Sequence, residues 1–215
     1  MPKSGCTSIK NWLYKLDHGE DFFDPLEIHK NAHQVFLSSA WAPDKLTERF
    51  YDSVVFTFVR HPVSRILSTY HEKIRYNTGY DFPATRRIVE TEYGCDFSGH
   101  ASLQRERENV YAFLRCVQDS LRYGKPAPRN PHWAIQVNRI KKAEKTRKID
   151  FIGRVETLEK DLEMIAGRHD LPRVSLPPMN VGPEKLFRYD ELLDERNLTL
   201  AREIFAPDMQ AFGYQ

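Results

Sequence analysis

The sequence lacks a long apolar run. No stretch of its 215 residues approaches the roughly 18 consecutive apolar residues that a membrane-spanning helix requires. We also expect no signal peptide before the first motif. On these grounds we expect a cytoplasmic protein with no transmembrane segment.

A large excess of charge of one sign is also missing. The chain contains 32 Lys and Arg residues against 30 Asp and Glu residues, which gives a formal net charge of +2. No overall field therefore attracts nucleic acid or an acidic membrane, and we expect no nucleic-acid partner. If the protein recognises an anion, a local site must do so.

Cysteine is scarce: Cys6, Cys95 and Cys116 lie far apart, with no CxxC pair. An odd number without paired spacing argues against a disulfide framework or a zinc site and predicts reduced thiols. A cysteine at a helix start can act as a nucleophile, because its pKa is lowered there. Cysteine phosphatases carry an arginine six positions after that cysteine, whereas this chain has Trp12. A packing or backbone-donor role therefore fits Cys6 better.

The first motif is a short polar segment that leads into a helix. Ile9, Trp12, Leu13 and Leu16 have helical spacing. The polar segment consists of Lys3, Ser4, Gly5, Cys6, Thr7 and Ser8. It predicts an anion site, because a helix N-terminus presents N–H groups, glycine allows close approach and the lysine adds a full charge. An ordinary Ser/Thr cap with a lysine nearby is the alternative.

Strands and helices alternate along the rest of the chain. The clearest strand is 53–59, a continuous β-branched and aromatic run typical of a buried parallel strand, and a helix opens at Pro62 directly after it. The other expected elements are strands at 34–38 and 149–153 and helices at 43–51, 103–123, from 155 and at 190–205, with 77–101 irregular. This alternation predicts an α/β fold with a parallel sheet.

A phosphate-binding loop normally follows a buried strand, yet only Met1 precedes the polar segment. We therefore expect that the first strand of the fold is missing from this sequence. Either the start was assigned too late or the chain is a fragment.

A second candidate anion site lies at the end of the clearest strand. Arg60 follows this strand, and Ser68 lies eight residues later, on one helix face with Ser64. Ligands of parallel α/β sheets bind beyond the carboxyl ends of the strands, where an arginine can bind phosphate bidentately. The alternative is an Arg60 paired with a nearby carboxylate and a solvated Ser68.

Together the two sites resemble a known family. PKSGCTS before an amphipathic helix is similar to the 5′-phosphosulfate loop of carbohydrate sulfotransferases that use 3′-phosphoadenosine 5′-phosphosulfate (PAPS). FTFVRHPVSRILSTYHEK resembles their 3′-phosphate motif. DPLEI with the following Ala32-His33, the pair His132-Trp133, IDFIGRVETLEKDLEMIAG and FAPDMQAFGY resemble the Golgi chondroitin and dermatan branch. Trp133 either stacks on a sugar ring or packs in the core.

The resemblance implies a P-loop-like three-layer α/β sandwich with a central parallel sheet, its first strand missing or truncated, as a single domain over 1–215. It implies transfer of a sulfuryl group from PAPS to a carbohydrate hydroxyl. Lys3 to Ser8 would bind the 5′-phosphosulfate, and Arg60 and Ser68 the 3′-phosphate. We expect two differences from the animal enzymes: no membrane anchor, and no cysteine pair before the IDFIG-like strand. Both differences favour a cytoplasmic relative.

Catalysis by such an enzyme needs charge stabilisation and a base. Lys3 and the N–H groups of the loop would stabilise the charge on the bridging and leaving oxygens. We expect His33 to be the base, because it matches a histidine of the chondroitin branch; His29 and Glu20 are weaker candidates. No metal is expected, since the transferred group carries less charge than a phosphoryl group and the clearest strand ends in Arg60 rather than an aspartate.

Three alternatives stay open. A P-loop kinase or NTPase would also use a loop-to-helix anion site, although neither GxxxxGK[ST] nor an acidic metal ligand after a strand is present. A module that binds RNA or another polyanion without catalysis is the second alternative, and the balanced charge argues against it. A degenerate sulfotransferase relative would bind the nucleotide without turnover.

Overall fold

A computed structural model describes residues 1–22, 24, 28, 53–76, 82–99, 102–176 and 186–215. Within them the chain forms two compact units, Met1–Val59 with Ile140–Asn180 and Arg60–Arg139 with Val181–Gln215. The expected strand at 34–38, the expected helix at 43–51 and the candidate bases His29 and His33 lie outside the described residues.

The described residues form helices with one small sheet. In chain order the elements are α1 (Cys6–His18), β1 (Phe56–Val59), α2 (Pro62–Thr69), a π-helical segment (Tyr70–Arg75), α3 (Pro83–Tyr93), α4 (Leu103–Tyr123), α5 (Gln136–Glu144), β2 (Phe151–Arg154), a 3₁₀ turn (Val155–Thr157), α6 (Leu158–Arg168), α7 (Tyr189–Leu192) and α8 (Glu195–Phe212). The predicted α/β class is confirmed. The single domain over 1–215 stays a prediction.

The first unit contains the sheet. β1 and β2 pair in parallel, with Phe56 opposite Phe151 and Val59 opposite Arg154, as the sequence predicts. Both strands are shorter than expected. Before β1, the Val55 N–H donates to Asp150 Oδ2 at 2.9 Å and the Asp150 N–H donates to Val55 O at 2.7 Å. The contact between the two strands therefore continues beyond the regular ladder.

A cluster of buried side chains from α1, β1 and α6 forms the core of this unit: Trp12, Phe58, Leu162, Ile165 and Ala166. α1 confirms the helix expected after the polar segment. It ends at Gly19, whose φ of 77° and N–H bond to Lys15 O are those of a left-handed C-cap.

The second unit is helical in its described part. Its core combines apolar side chains of α2, the π-helical segment, α4 and α8. α4 has the predicted bounds, because Ser102 Oγ accepts the Arg105 N–H at its start and Gly124 ends it in the left-handed region. Trp133 belongs to this core: it is 1% exposed, and its Nε1–H donates to Ser120 Oγ at 3.0 Å.

Two expectations for this part of the chain were wrong, and one helix was not predicted. Residues 77–101 were expected to be irregular, but α3 begins at Pro83 and ends before Gly94. α5 was not expected at all. The last helix was expected at 190–205, whereas α8 begins after its cap Asp194, bends at Phe205 and continues past Pro207 to Phe212. None of the helices in the described ranges is long and apolar enough to cross a membrane.

Candidate functional site

The polar segment at the start of the chain forms a tight turn. The Ser4 N–H donates to Met1 O at 3.2 Å, and Lys3 and Gly5 both have positive φ, 63° and 71°. The left-handed region favours glycine and costs a residue with a Cβ about 1–2 kcal/mol. Ser4 is completely buried, so its side chain packs inside the protein beneath the turn.

Gly5 connects the turn to α1. Its carbonyl accepts the Ile9 N–H at 2.9 Å, while no side chain caps the helix and no acidic residue lies in its first turn. A Cβ added to Gly5 would lie 3.5 Å from Val155 Cγ2 and 3.6 Å from Leu158 Cδ2. The turn is therefore packed against the beginning of α6, in the stretch that carries the IDFIGRVETLEKD resemblance.

The structure brings the six predicted residues, Lys3 to Ser8, into this turn and the first residues of α1. The positive end of the helix dipole and the Lys3 ammonium group both favour an anion here.

Lys10 is a further cation near this turn that was not predicted from the sequence. Lys10 lies on α1 at i+4 from Cys6, and partial burial lowers the pKa of its amine, an effect that the Cys6 side chain opposes. The i, i+4 spacing is the signal that could have identified it.

Arg60 follows β1 directly, as predicted, and its main chain is held by one side chain. The Arg60 N–H donates to Gln136 Oε1 at 3.1 Å, and Gln136 Nε2 donates to Arg60 O at 2.9 Å. Gln136 is fully buried. It is not among the site residues predicted from the sequence.

A buried carboxylate holds Gln136 in turn. Asp208 accepts the N–H groups of Gln136 and Val137 at 2.9 and 2.8 Å, and therefore caps α5. Desolvation raises the pKa of the Asp208 carboxyl, and these hydrogen bonds and the charge of Arg65 counteract the effect. Arg65 is 1% exposed, and burial lowers its pKa to about 10. Its guanidinium donates to Ala134 O at 2.9 Å and to Pro131 O at 2.7 Å.

Ser68 lies on α2 as predicted, but its hydroxyl is oriented into the protein. Ser68 is 5% exposed, and its Oγ donates to Glu72 Oε1 at 3.4 Å, a long hydrogen bond. The expected solvated Ser68 of the alternative interpretation is therefore not observed. A ligand oxygen would compete with the Glu72 carboxylate for this hydroxyl.

The predicted site residues divide between the two units. Lys3 to Ser8 lie in the first unit, and Arg60 and Ser68 in the second. Glu20, one of the two weaker base candidates, is exposed just after α1. Within the described ranges, no three His, Cys, Asp or Glu side chains are grouped as metal ligands would be.

The chain belongs to the sulfotransferase family, whose model matches residues 1–215. It is 26% identical to carbohydrate sulfotransferase 14 of Danio rerio, over 100% of this chain and 58% of that protein. It is 24% identical to carbohydrate sulfotransferase 11 of Rattus norvegicus, over 75% of this chain and 46% of that protein. Carbohydrate sulfotransferase 9 of Homo sapiens is also 24% identical, over 80% of this chain and 39% of that protein.

The chain thus spans about half the length of the curated relatives that it matches. No solved structure shows a significant match to it.

Proposed function

We propose that this protein transfers a sulfuryl group from PAPS to a hydroxyl group of a carbohydrate. The observation that carries the proposal is the match of the sulfotransferase family over the whole chain, together with the turn at Lys3–Gly5 that leads into α1. The relatives are named carbohydrate sulfotransferases, which favours a sugar as the acceptor.

In this proposal the turn binds the 5′-phosphosulfate of the donor. Gly5 lets the anion approach the backbone, and the N–H groups of the first turn of α1 donate to its oxygens. The absence of an acidic residue in this first turn avoids repulsion of the ligand. Lys3 supplies the full positive charge that the leaving phosphate oxygen requires as the S–O bond breaks.

Arg60 and Ser68 would bind the 3′-phosphate. A guanidinium group suits a phosphate because two of its N–H groups can donate to two phosphate oxygens. Ser68 would join only if its hydroxyl exchanged the long hydrogen bond to Glu72 for one to the ligand.

The transfer itself forms one bond and breaks another. The acceptor oxygen attacks the sulfur, the bond from sulfur to the bridging oxygen breaks, and adenosine 3′,5′-bisphosphate leaves. The proton of the acceptor hydroxyl goes to a base, and His33 is the proposed base.

We also propose that the parallel pair β1–β2 is part of the central sheet of a P-loop-like three-layer sandwich.

The test is transfer of radiolabelled sulfate from PAPS to a panel of glycans, run beside a thermal-shift comparison of two ligands. We expect adenosine 3′,5′-bisphosphate to raise the melting temperature and ATP with magnesium to have no effect. Stabilisation by ATP with magnesium alone would instead indicate a kinase or NTPase. Stabilisation by the bisphosphate without transfer to any glycan would indicate a relative that binds the nucleotide without turnover.

A further inference from the structure

Gln136 binds both polar main-chain groups of Arg60. Its amide accepts the Arg60 N–H at 3.1 Å and donates to Arg60 O at 2.9 Å. These two bonds restrain the peptide planes on both sides of the Arg60 Cα, as a neighbouring strand would. Because the Cα–Cβ direction depends on those planes, the bonds also restrain the direction in which the arginine side chain starts.

Gln136 is held as firmly as the residue that it holds. It is 0% exposed, its own N–H donates to Asp208 Oδ2 at 2.9 Å, and its Nε2 lies 3.4 Å from the same oxygen. Asp208 also accepts the Val137 N–H at 2.8 Å. A carboxylate that accepts two N–H groups at a helix start fixes that start, and here it fixes the residue whose amide faces Arg60.

The chain just before α5 is restrained as well. The buried Arg65 guanidinium donates to Ala134 O at 2.9 Å and to Pro131 O at 2.7 Å. Three buried polar side chains, Arg65, Gln136 and Asp208, are therefore satisfied by one another or by backbone. Such networks cost free energy unless every member is paired, and they then specify a single arrangement.

We propose that Gln136 is a positioning residue: by binding both main-chain groups of Arg60, it presets the arginine for the 3′-phosphate of the donor. The inference rests on the proposed function, because it assigns Gln136 a role in binding that same nucleotide. It predicts that Gln136 affects affinity only through Arg60. Small displacements of a binding group are costly, so a residue that touches no ligand can still affect affinity.

The test compares two nucleotides by titration calorimetry with the full chain: adenosine 3′,5′-bisphosphate and adenosine 5′-monophosphate, which lacks the 3′-phosphate. Gln136→Met keeps the length of the side chain and removes both hydrogen bonds. We expect it to weaken binding of the bisphosphate about tenfold and to leave binding of the monophosphate unchanged. In an Arg60→Ala background, Gln136→Met should have no further effect on either affinity.

The chain offers a matched control in Asn109. This buried amide accepts the Asp96 N–H at 2.8 Å and donates to Asp96 O at 2.8 Å, so it holds a main chain in the same way at another residue. Asn109→Leu should lower stability as Gln136→Met does and leave the ratio of the two nucleotide affinities unchanged.

The outcomes separate the inference from the proposed function. If the wild type binds neither nucleotide, the proposed function fails and the inference with it. Suppose that Arg60→Ala abolishes the preference for the bisphosphate. If Gln136→Met then retains this preference, or lowers the affinity for both nucleotides equally, only the inference is overturned. Should Gln136→Met not fold, Gln136→Asn gives the same comparison, because its shorter amide cannot reach both main-chain groups.

Discussion

The ring of Phe58 on β1 occupies the space beside Gly153 on β2. The two residues are partners in the parallel register, and a Cβ added to Gly153 would lie 2.4 Å from Phe58 Cε1 and 2.7 Å from Cδ1. No real side chain tolerates such a distance, so the glycine of IDFIG is required by the neighbouring ring. Phe58 belongs to the core between the sheet, α1 and α6, and a displaced ring would disturb that core.

We therefore expect Gly153→Ala to lower the free energy of unfolding by about 1–3 kcal/mol, the usual cost of overpacking. Gly167 on α6 is the matched control, since an added Cβ there meets nothing within 4 Å. Gly167→Ala should raise the stability by about 0.5–1 kcal/mol, because alanine favours a helix over glycine. Urea denaturation followed by circular dichroism measures both. Equal effects of the two substitutions would contradict the role given to the Phe58 ring.

Local signals in the sequence were sufficient for some elements. α4 has its predicted bounds because Ser102 and Gly124 are strong start and stop residues around a long apolar stripe. α3 was missed because only Thr85 and Val89 on it are buried, and two buried positions give almost no periodic signal. The parallel pairing of β1 and β2 was predictable from the alternation of strands and helices.

The candidate site was predictable only where its residues are close in sequence. The turn at Lys3–Gly5 precedes an amphipathic helix, and Arg60 follows a clear strand, so local context identified both. Gln136 lies in no predicted motif, and Asp208 lies in the FAPDMQAFGY segment without a local sign of its role. Gln136 and Arg60 are 76 positions apart in the sequence, and Gln136 and Asp208 are 72 positions apart. Nothing in a single sequence indicates either pairing.

Gly5 should be required for ligand binding as well as for stability. Its φ of 71° disfavours any residue with a Cβ, although the added Cβ would make only ordinary contacts with Val155 and Leu158. Gly19, at the other end of α1, has a φ of 77° and open space around it. We expect both Gly5→Ala and Gly19→Ala to cost about 1–2 kcal/mol in thermal or urea unfolding. Only Gly5→Ala should also weaken the binding of adenosine 3′,5′-bisphosphate, as measured by calorimetry. Equal affinity of both variants would place the ligand elsewhere.

Lys3 is expected to act mainly on turnover. Lys3→Met removes the charge while it keeps most of the side-chain length, and we expect kcat to fall on the order of 10²–10³-fold, as after loss of one stabilising donor. Steady-state transfer of radiolabelled sulfate measures this loss. Lys15 provides the control, because it lies near the last turn of α1, at the opposite end of the helix from the Lys3 turn, and its amine lies 3.0 Å from Asp21 Oδ1. Lys15→Met should keep normal kcat, and a Lys3→Met protein with normal kcat would remove Lys3 from the mechanism.

The three thiols should differ in reactivity. Cys95 and Cys116 are 5% and 1% exposed, and burial raises the pKa of each to about 12, whereas Cys6 is half-buried at the start of α1. A thiolate is the reactive form, so a disulfide reagent at pH 8 should label one thiol in the native protein and all three in denaturant. Cys6→Ser should abolish the native reaction. Rapid native labelling of Cys6→Ser would show that a core thiol is accessible.

The same two core thiols predict how stability depends on pH. Their pKa is raised on folding, from 9.0 to about 12, so between these values the folded state binds more protons than the unfolded state. The stability that they contribute is therefore complete below pH 9 and is lost as the pH rises towards 12. Urea midpoints for the wild type should fall across this range. The double variant Cys95→Ala with Cys116→Ala should start less stable, because it leaves cavities, but its midpoint should fall less steeply. An equal slope in both proteins would mean that the thiols ionise alike in the folded and unfolded states.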